Sequence, residues 1–305
     1  MLKVFVSLLN FNGKQNTLAC LKSLESISRD DFELTVIVVD NASKGGFDLE
    51  AKTGNGMSLI VIKNDKNLGF SGGHNVAIKY ALENGADYIL ILNNDTYVDK
   101  NFLSQLLEVS RIDQNIGILC PKIYFAPGAE FHKDRYSKNE LGRVFWYAGG
   151  RMDWANVGGY HRGVDEVDKG QYNKIEETEI ATGCCMLVKK EVFEKVGLLD
   201  DKYFLYYEDS DLNMRAKDSN FKIMYVPNSI IWHKNAESSG GSGSVLQDYY
   251  ITRNRLLFGF KYAPIRAKFA LFRESLRLLF GGRQWQRKGI QDYYSGKLGK
   301  GSYSI

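Results

Sequence analysis

Short apolar runs that end in polar residues recur along the first hundred positions of this 305-residue chain. Residues 3–9, 34–40 and 88–92 are rich in β-branched and aliphatic side chains, which predicts strands. Residues 14–27 and 71–82 instead repeat apolar side chains every three or four positions, which predicts helices. Strands that alternate with helices form right-handed βαβ units. The expected fold is therefore α/β, with a mostly parallel central sheet flanked by helices.

The third predicted strand stops at Asn93, Asn94 and Asp95. Ligands of α/β sheets bind outside the carboxyl ends of the strands, so this carboxylate lies where a substrate would lie. Magnesium and manganese prefer oxygen ligands and commonly take one or two carboxylates together with substrate phosphates. The segment is a candidate metal site, and the alternative is an Asn/Asp turn that simply ends a strand.

Two further polar segments are candidate contacts for a ligand. Asp40 comes at the end of the second strand, where a carboxylate can accept hydrogen bonds from a base or from a ribose hydroxyl. Residues 67–75 form a glycine-rich turn that opens a helix, which permits close approach of a nucleotide or sugar to the backbone. Turn chemistry alone also explains each segment. Neither contains the dinucleotide-binding glycine pattern or a P-loop.

Acidic residues open another predicted helix at Glu208 and Asp209, directly after several aromatic side chains. Acids are stabilised at helix N-termini by the backbone donors, so a structural role is one interpretation. Two adjacent carboxylates beside aromatic rings can also hold one group ready to take a proton from a substrate hydroxyl. Asp211 and Arg215, four positions apart, predict a helical ion pair. His233 ends another apolar run and is either a metal ligand or a polar strand cap.

Composition favours a folded protein: 44% hydrophobic residues can bury one large core or two smaller ones. The four cysteines show no CxxC spacing, and the first residues lack the apolar length of a secretory signal. No apolar run approaches the ~20 residues needed to cross a bilayer. These features predict a cytoplasmic protein with reduced thiols.

Positive charge concentrates near the C-terminus. Residues 253–300 contain twelve Lys and Arg against two acids, a local charge of +10, whereas the whole chain carries +4 and the remainder therefore −6. Apolar residues recur there at helical spacing between basic ones, which is typical of an amphipathic helix on an anionic membrane surface. The alternative is a helix that packs its apolar face on the rest of the protein. No nucleic-acid-binding module accompanies the charge, so nucleic acid is not expected as a partner.

Taken in order, these motifs resemble the family 2 glycosyltransferases, inverting enzymes of the GT-A fold, in the branch that includes bacterial rhamnosyltransferases. The matching segments are residues 6–13, 38–43, 67–75, 92–95, 182–188, 208–212 and 250–255. The resemblance implies a nucleotide-sugar donor, dTDP-rhamnose or a UDP-hexose, with Mn²⁺ or Mg²⁺ on its diphosphate. It also implies inverting transfer to a hydroxyl of a glycan or of a polyprenyl-diphosphate-linked glycan, in surface-polysaccharide assembly.

The resemblance assigns roles to particular residues. Asp95 is similar to the last carboxylate of the family's DxD motif and is the expected metal ligand, with Asn93 in place of the first acid and His233 as a second metal-associated residue. Asp209 is the expected catalytic base, with Glu208 beside it. The remaining expectations are a nucleotide pocket (Asn10, Asn12, Asp40, Asn67, Gly69, Gly72, Asn75 and Asn94) and a donor-sugar and acceptor region (Thr182, Gly183 and Arg253).

The motif order also suggests a division of the chain. Residues 1–240 would form the GT-A catalytic domain, with the nucleotide-binding part in 1–95 and the acceptor and catalytic part in 96–240. Residues 237–244 are interpreted as a lid or a passive linker. Residues 245–305 are interpreted as a basic helical extension that either contacts the cytoplasmic face of the membrane or packs on the catalytic domain. The sequence leaves the oligomeric state open, a homo-oligomer included.

Two other functions would use a similar pocket. A nucleotidyltransferase that makes nucleotide sugars should carry a glycine-rich, basic signature after its first strand, and residues 10–13 lack one. A non-catalytic nucleotide-sugar-binding subunit should have lost its acids, yet Asp95 and Asp209 are present. The sequence therefore favours a catalytically competent transferase.

Overall fold

The N-terminal half alternates strands and helices, as the sequence predicts. The structure is a computed structural model that describes residues 1–29, 31–47, 49, 57–234 and 243–303; most of the predicted lid, residues 237–242, lies outside this part of the chain. The strands of this half are β1 (Leu2–Asn10), β2 (Phe32–Asp40), β3 (Met57–Lys63), β4 (Tyr88–Asn93), β5 (Thr96–Val98) and β6 (Ile116–Phe125). The helices are α1 (Lys14–Glu25), α2 (Gly69–Glu83) and α3 (Phe102–Ser110).

The C-terminal half contains shorter strands and more helices. The strands are β7 (Phe145–Tyr147), β8 (Gly150–Asp153), β9 (Gly158–His161), β10 (Glu176–Glu177), β11 (Cys185–Lys189) and β12 (Lys222–His233). The helices are α4 (Lys190–Val196), α5 (Glu208–Asp218), α6 (Val245–Tyr262), α7 (Ile265–Gly281) and α8 (Gln284–Tyr294), and a 3-10 turn spans Lys133–Arg135.

One large sheet organises the fold, in the order β10-β12-β6-β11-β4-β1-β2-β3. The half made of β4, β1, β2 and β3 is parallel throughout. Strands β4, β1 and β2 are largely buried, as their continuous apolar sequences require, whereas β3 at the end of the sheet is partly exposed. β11 runs antiparallel between β4 and β6, so the other half of the sheet is mixed. The α/β fold is confirmed, and the parallel half aligns Asn10 with Asp40 at one sheet edge.

Helices α6, α7 and α8 form a helical extension with a hydrophobic cluster of its own, which includes Leu256, Phe258, Leu271 and Ile290. Helix α7 packs through Leu271 and Ser275, both buried. Most of the apolar face that the sequence predicts for this helix is exposed to solvent, whereas Leu279 packs against the cluster of the extension. Within the described residues, no helix has the length and apolar character of a membrane span.

Candidate active site

Polar side chains join the loops that follow β1 and β2. The Asn10 amide donates hydrogen bonds to Asp40 Oδ1 at 2.9 Å and to the Ser43 hydroxyl at 3.1 Å, and the Ser43 hydroxyl donates to Asp40 Oδ1 at 2.5 Å. Asn12 has a left-handed backbone, with φ of 57°, and its side-chain oxygen accepts a hydrogen bond from Lys44 N at 2.8 Å. These bonds fix the orientation of the Asp40 carboxylate at the carboxyl end of its strand.

Asn41 organises the glycine-rich turn before α2, although it was not among the predicted site residues. The Asn41 amide donates to Asn67 Oδ1 at 2.9 Å and to the Gly69 carbonyl at 3.0 Å. Gly69 itself has φ of 75°, and a Cβ there would lie 2.3 Å from the Phe204 carbonyl oxygen. Gly72 is similarly crowded by Leu68. The glycines therefore allow the turn to approach the segment that precedes α5.

Asn75, a predicted nucleotide contact, has a different environment from the one expected. Its amide donates to the Leu199 carbonyl at 2.8 Å and to Asp201 Oδ1 at 2.6 Å, and its side-chain oxygen accepts from Leu199 N at 3.1 Å. The side chain is buried. Asn75 therefore braces the 199–201 segment against α2, because its donors and acceptor are already engaged by protein atoms.

Asp95 and His233 meet although they are far apart in the sequence. Strand β5 pairs antiparallel with β12 and sets Thr96 opposite His233, which leaves Asp95 Oδ1 3.1 Å from His233 Nε2. Burial tends to raise the pKa of Asp95, but His233 and Lys234 outweigh this effect and lower it, so the group is a carboxylate. Asn94, the neighbouring predicted nucleotide contact, donates to the Thr17 hydroxyl at 2.9 Å.

The Asp95–His233 pair fits a divalent cation by its donor atoms. His233 Nε2 faces Asp95 Oδ1 at 3.1 Å, so a cation shared by the pair would replace this contact and take one carboxylate oxygen and one imidazole nitrogen. Nδ1 of His233, on the other side of the ring, is buried and has no hydrogen-bond partner among the described residues. In the same part of the chain no group of three or more potential ligand side chains occurs. A cation held here would need oxygens from water or from a substrate phosphate, which is the usual arrangement for magnesium.

Helix α5 begins with two buried carboxylates. Asp209 Oδ2 accepts a hydrogen bond from Gly183 N at 2.9 Å, and Oδ1 accepts from Ser210 N at 2.6 Å. Burial raises the pKa of Asp209, and these backbone donors oppose the shift. Burial and the neighbouring Asp209 charge raise the pKa of Glu208 well above its ordinary value, which favours its neutral form. Backbone donors thus stabilise the carboxylate form of Asp209, which is the form that can take a proton.

The turn at Thr182 and Gly183 brings three segments together. Gly183 N binds the Asp209 carboxylate, and a Cβ on Gly183 would lie 3.2 Å from the Phe70 ring at the start of α2. The next carbonyl, that of Cys184, accepts a hydrogen bond from Asn93 N at 2.8 Å at the end of β4. This turn thus connects the end of β4 with the starts of α2 and α5. Cys184 and Cys185 are buried, as predicted, and burial raises the pKa of both thiols.

The aromatic loop, residues 203–207, leads into α5 with an unusual backbone. Phe204, Tyr206 and Tyr207 have φ of 65°, 70° and 75°, a region that bulky residues adopt only when their surroundings impose it. The Asn254 amide on α6 lies 2.8 Å from the Tyr203 and Leu205 carbonyl oxygens and 2.9 Å from that of Tyr206. Asn254 was not identified from the sequence, although it lies within the 250–255 motif.

Arg253, predicted to lie in the donor-sugar and acceptor region, binds protein carbonyls in the structure. The side chain is 0% exposed. Its guanidinium donates to the carbonyls of Gly299 at 2.6 Å, Tyr203 at 2.9 Å and Lys202 at 3.2 Å. The guanidinium is therefore engaged by backbone carbonyls of the aromatic loop and of the segments beside it, a supporting role for Arg253.

Asp211 joins the extension to the catalytic half. The predicted ion pair with Arg215 is confirmed at 2.7 Å. Two groups from the end of α6 also donate to Asp211 Oδ1: Lys261 Nζ at 2.7 Å and the Tyr262 hydroxyl at 2.8 Å. Asp211 is 0% exposed, so these contacts compensate a fully buried carboxylate.

Comparison with known proteins identifies the family. Residues 6–197 match the family model described as Glycosyl transferase family 2. The chain belongs to glycosyltransferase family 2. Among curated proteins, the low-salt glycan biosynthesis hexosyltransferase Agl10 of Haloferax volcanii is 26% identical over 192 residues, which cover 63% of this chain and 57% of that protein. The chain thus spans little more than half the length of this relative.

A second relative and a solved structure extend the comparison of this family 2 glycosyltransferase. The dTDP-rhamnosyl transferase RfbF of Shigella flexneri is 25% identical over 234 residues, 73% of this chain and 69% of that protein. The crystal structure of GalNAc-T7 with UDP, GalNAc and Mn²⁺ superposes with a TM-score of 0.65 at 14% identity, over 97% of this chain and 56% of that chain. The likeness confirms the GT-A fold.

Proposed function

We propose that this glycosyltransferase moves a sugar from a nucleotide-sugar donor to an acceptor hydroxyl with inversion, and that Asp209 is its general base. The observation that carries the proposal is the turn at Gly183. Its backbone N–H holds the Asp209 carboxylate at 2.9 Å, while the adjoining Cys184 carbonyl is bonded to the strand end that carries Asp95. A donor bound along the carboxyl ends of β1, β2 and β4 would thus lie beside the base.

Five residues of the pocket have a stated part in this proposal. Asp40, oriented by Asn10, accepts hydrogen bonds from the base or ribose of the donor. Asp95 and His233 would hold Mn²⁺ or Mg²⁺, which when bound offsets the negative charge of the departing nucleoside diphosphate. Asp209 takes the proton of the acceptor hydroxyl. The hydroxyl oxygen then bonds to the anomeric carbon as the bond to the diphosphate breaks on the opposite face, so the configuration inverts.

The donor and acceptor follow from the relatives and the surface. The Shigella relative is a dTDP-rhamnosyl transferase, and the GalNAc-T7 structure holds UDP. We therefore propose dTDP-rhamnose or a UDP-hexose as donor. The Haloferax relative belongs to glycan biosynthesis. A glycan, or a glycan linked to polyprenyl diphosphate, in surface-polysaccharide assembly is the proposed acceptor.

Asp209→Asn tests the base. General base catalysis contributes about 10²–10⁴-fold, so turnover should fall by at least about 10²-fold, while nucleotide affinity stays the same because Asp209 does not bind the donor in this scheme. Release of nucleoside diphosphate from candidate donors measures turnover. Near-normal turnover by this variant would exclude Asp209 as the base. Release of pyrophosphate by the native protein would instead indicate a nucleotidyltransferase.

Asp95→Asn tests the metal site. Thermal unfolding is recorded with UDP, dTDP, GDP and CDP, each with and without Mn²⁺, because a ligand at about 100 times its Kd adds about 2.7 kcal/mol to the free energy of unfolding. The native protein should gain stability from UDP or dTDP only with Mn²⁺, and Asp95→Asn should lose that gain. If Asp95→Asn kept the same Mn²⁺-dependent gain in stability with nucleotide, Asp95 would not be a metal ligand.

A further inference from the structure

Helix α7 presents a continuous apolar surface to solvent. Ile265, Phe269, Phe272, Leu276 and Phe280 are 79%, 65%, 42%, 41% and 83% exposed. We call these five side chains the outward stripe. Their spacing of three or four residues puts them on one side of the helix, and at 1.5 Å per residue the stripe is roughly 22 Å long. Single exposed apolar side chains are ordinary, but a contiguous row of this size marks an interaction surface.

The orientation of the outward stripe is fixed by contacts on the opposite side of α7. Leu271 is buried in the cluster of the helical extension, and the Ser275 hydroxyl lies 2.7 Å from the Tyr294 hydroxyl of α8. Glu274 forms an ion pair with Arg255 of α6 at 2.6 Å. The helix therefore cannot turn the stripe inward without losing these contacts.

Within α7, the charged side chains beside the outward stripe are all positive. Arg266, Arg273 and Arg277 are exposed along one border, and Lys268 lies on the other. Glu274, the one acid in α7, is on the far side of the helix, where Arg255 binds it. A surface that complements the stripe must therefore offer apolar groups together with negative charge.

We propose that the outward stripe docks on the surface of an anionic lipid bilayer. The apolar side chains would enter the boundary between head groups and acyl chains, and the bordering arginines would lie at the lipid phosphates, as in amphipathic helices that lie in the membrane plane. A second copy of this chain complements the stripe less well, because pairing two stripes would bring basic borders of both copies together. This docking does not depend on the proposed transfer reaction.

Vesicle sedimentation with the full chain tests the proposal. The protein should sediment with vesicles of phosphatidylglycerol and phosphatidylcholine, and not with vesicles of phosphatidylcholine alone. Phe269→Ser with Phe280→Ser should weaken binding at least about tenfold, because both rings lose their burial in lipid. Arg273→Gln with Arg277→Gln should weaken it about 30-fold, since each basic residue near such a surface contributes about 1 kcal/mol.

Matched controls separate the stripe from general surface effects. Ile112, 71% exposed, and the exposed Lys217 lie outside the extension, so Ile112→Ser and Lys217→Gln should bind anionic vesicles as the native protein does. All these positions are exposed, so the variants should keep the native melting temperature. Absence of binding to anionic vesicles, or equal binding by the stripe variants, overturns the proposal. So does sedimentation equilibrium showing a dimer that becomes a monomer in Phe269→Ser with Phe280→Ser.

Discussion

Replacing Asn254 by alanine should destabilise the protein and impair transfer, although Asn254 is not placed in contact with any substrate. The Asn254 amide has two hydrogens shared among three carbonyl oxygens of the aromatic loop, at 2.8, 2.8 and 2.9 Å. The Tyr203 carbonyl also accepts from Arg253 and keeps that partner. The Leu205 and Tyr206 carbonyls lose the Asn254 donor.

The size of the effect follows from these bonds. A net hydrogen bond contributes about 0.5–1.5 kcal/mol, and a buried acceptor left without its donor costs about 1–3 kcal/mol. Partial relaxation of the loop reduces the summed cost of the lost hydrogen bonds and unpaired carbonyls, so the free energy of unfolding should fall by about 2–4 kcal/mol. Relaxation also releases the left-handed backbone at Tyr206 and Tyr207, and a displacement of about 1 Å in the base that follows can cost about 10²-fold in turnover.

Urea unfolding and nucleoside-diphosphate release measure the two effects. Asn254→Asp has almost the same side-chain volume but no amide donor. If the lost hydrogen bonds rather than a cavity cause the destabilisation, this variant should lose at least as much free energy of unfolding as Asn254→Ala. Asn84→Ala is the control, because the Asn84 amide donates to one carbonyl, that of Tyr80, at an exposed helix end and its loss should cost less than about 0.5 kcal/mol. If Asn254→Ala unfolds and turns over like the native protein, the aromatic loop does not depend on Asn254.

Three other predictions concern buried acids. Burial raises the pKa of Asp211, but the hydrogen bond from Lys261 and the charge of Arg215 outweigh it and hold the pKa below 3.8. The Asp211 carboxylate therefore contributes fully to the free energy of unfolding above about pH 4, and this contribution is lost as the pH falls further. In urea unfolding, the free energy of unfolding of Asp211→Asn should decrease less over this acid range than that of the native protein. Glu208→Gln should unfold within about 1 kcal/mol of the native protein, because the raised pKa of Glu208 favours a neutral side chain in the fold. Since burial raises the pKa of Asp209 above 3.8, kcat/KM should fall on its acid side at a higher pH than for a solvent-exposed aspartate.

The parallel half of the sheet was predictable because its local and global signals agree. The predicted strand at residues 88–92 corresponds to β4 (Tyr88–Asn93), and the predicted helix at 71–82 to α2 (Gly69–Glu83). Strands buried on both faces require continuous apolar sequence, and polar residues at their ends then define the ligand edge. Motif order alone was enough to anticipate the family.

Long-range pairings were harder to predict. Strand β5 has only three residues, so its sequence carries little signal, yet its pairing with β12 brings His233 to Asp95. Arg253 resembles the exposed basic residues around it in sequence, and its burial depends on carbonyls of distant segments that only the folded chain brings together. Likewise, helical spacing was enough to predict an apolar face on α7, but it could not predict that the helix packs through Leu271 and Ser275 instead.

The aromatic loop links the proposed donor site, the proposed base and the helical extension. The Phe204 carbonyl accepts a hydrogen bond from Phe70 N at 2.6 Å, at the glycine-rich start of α2. The flanking carbonyls of Tyr203 and Tyr206 are held by Asn254 from α6, and α5 with Asp209 begins directly after the loop. A boundary at residue 240 would separate those carbonyls from their donors. Contacts from the extension thus support the segment that leads into the proposed base, whatever surface the outer face of the extension contacts.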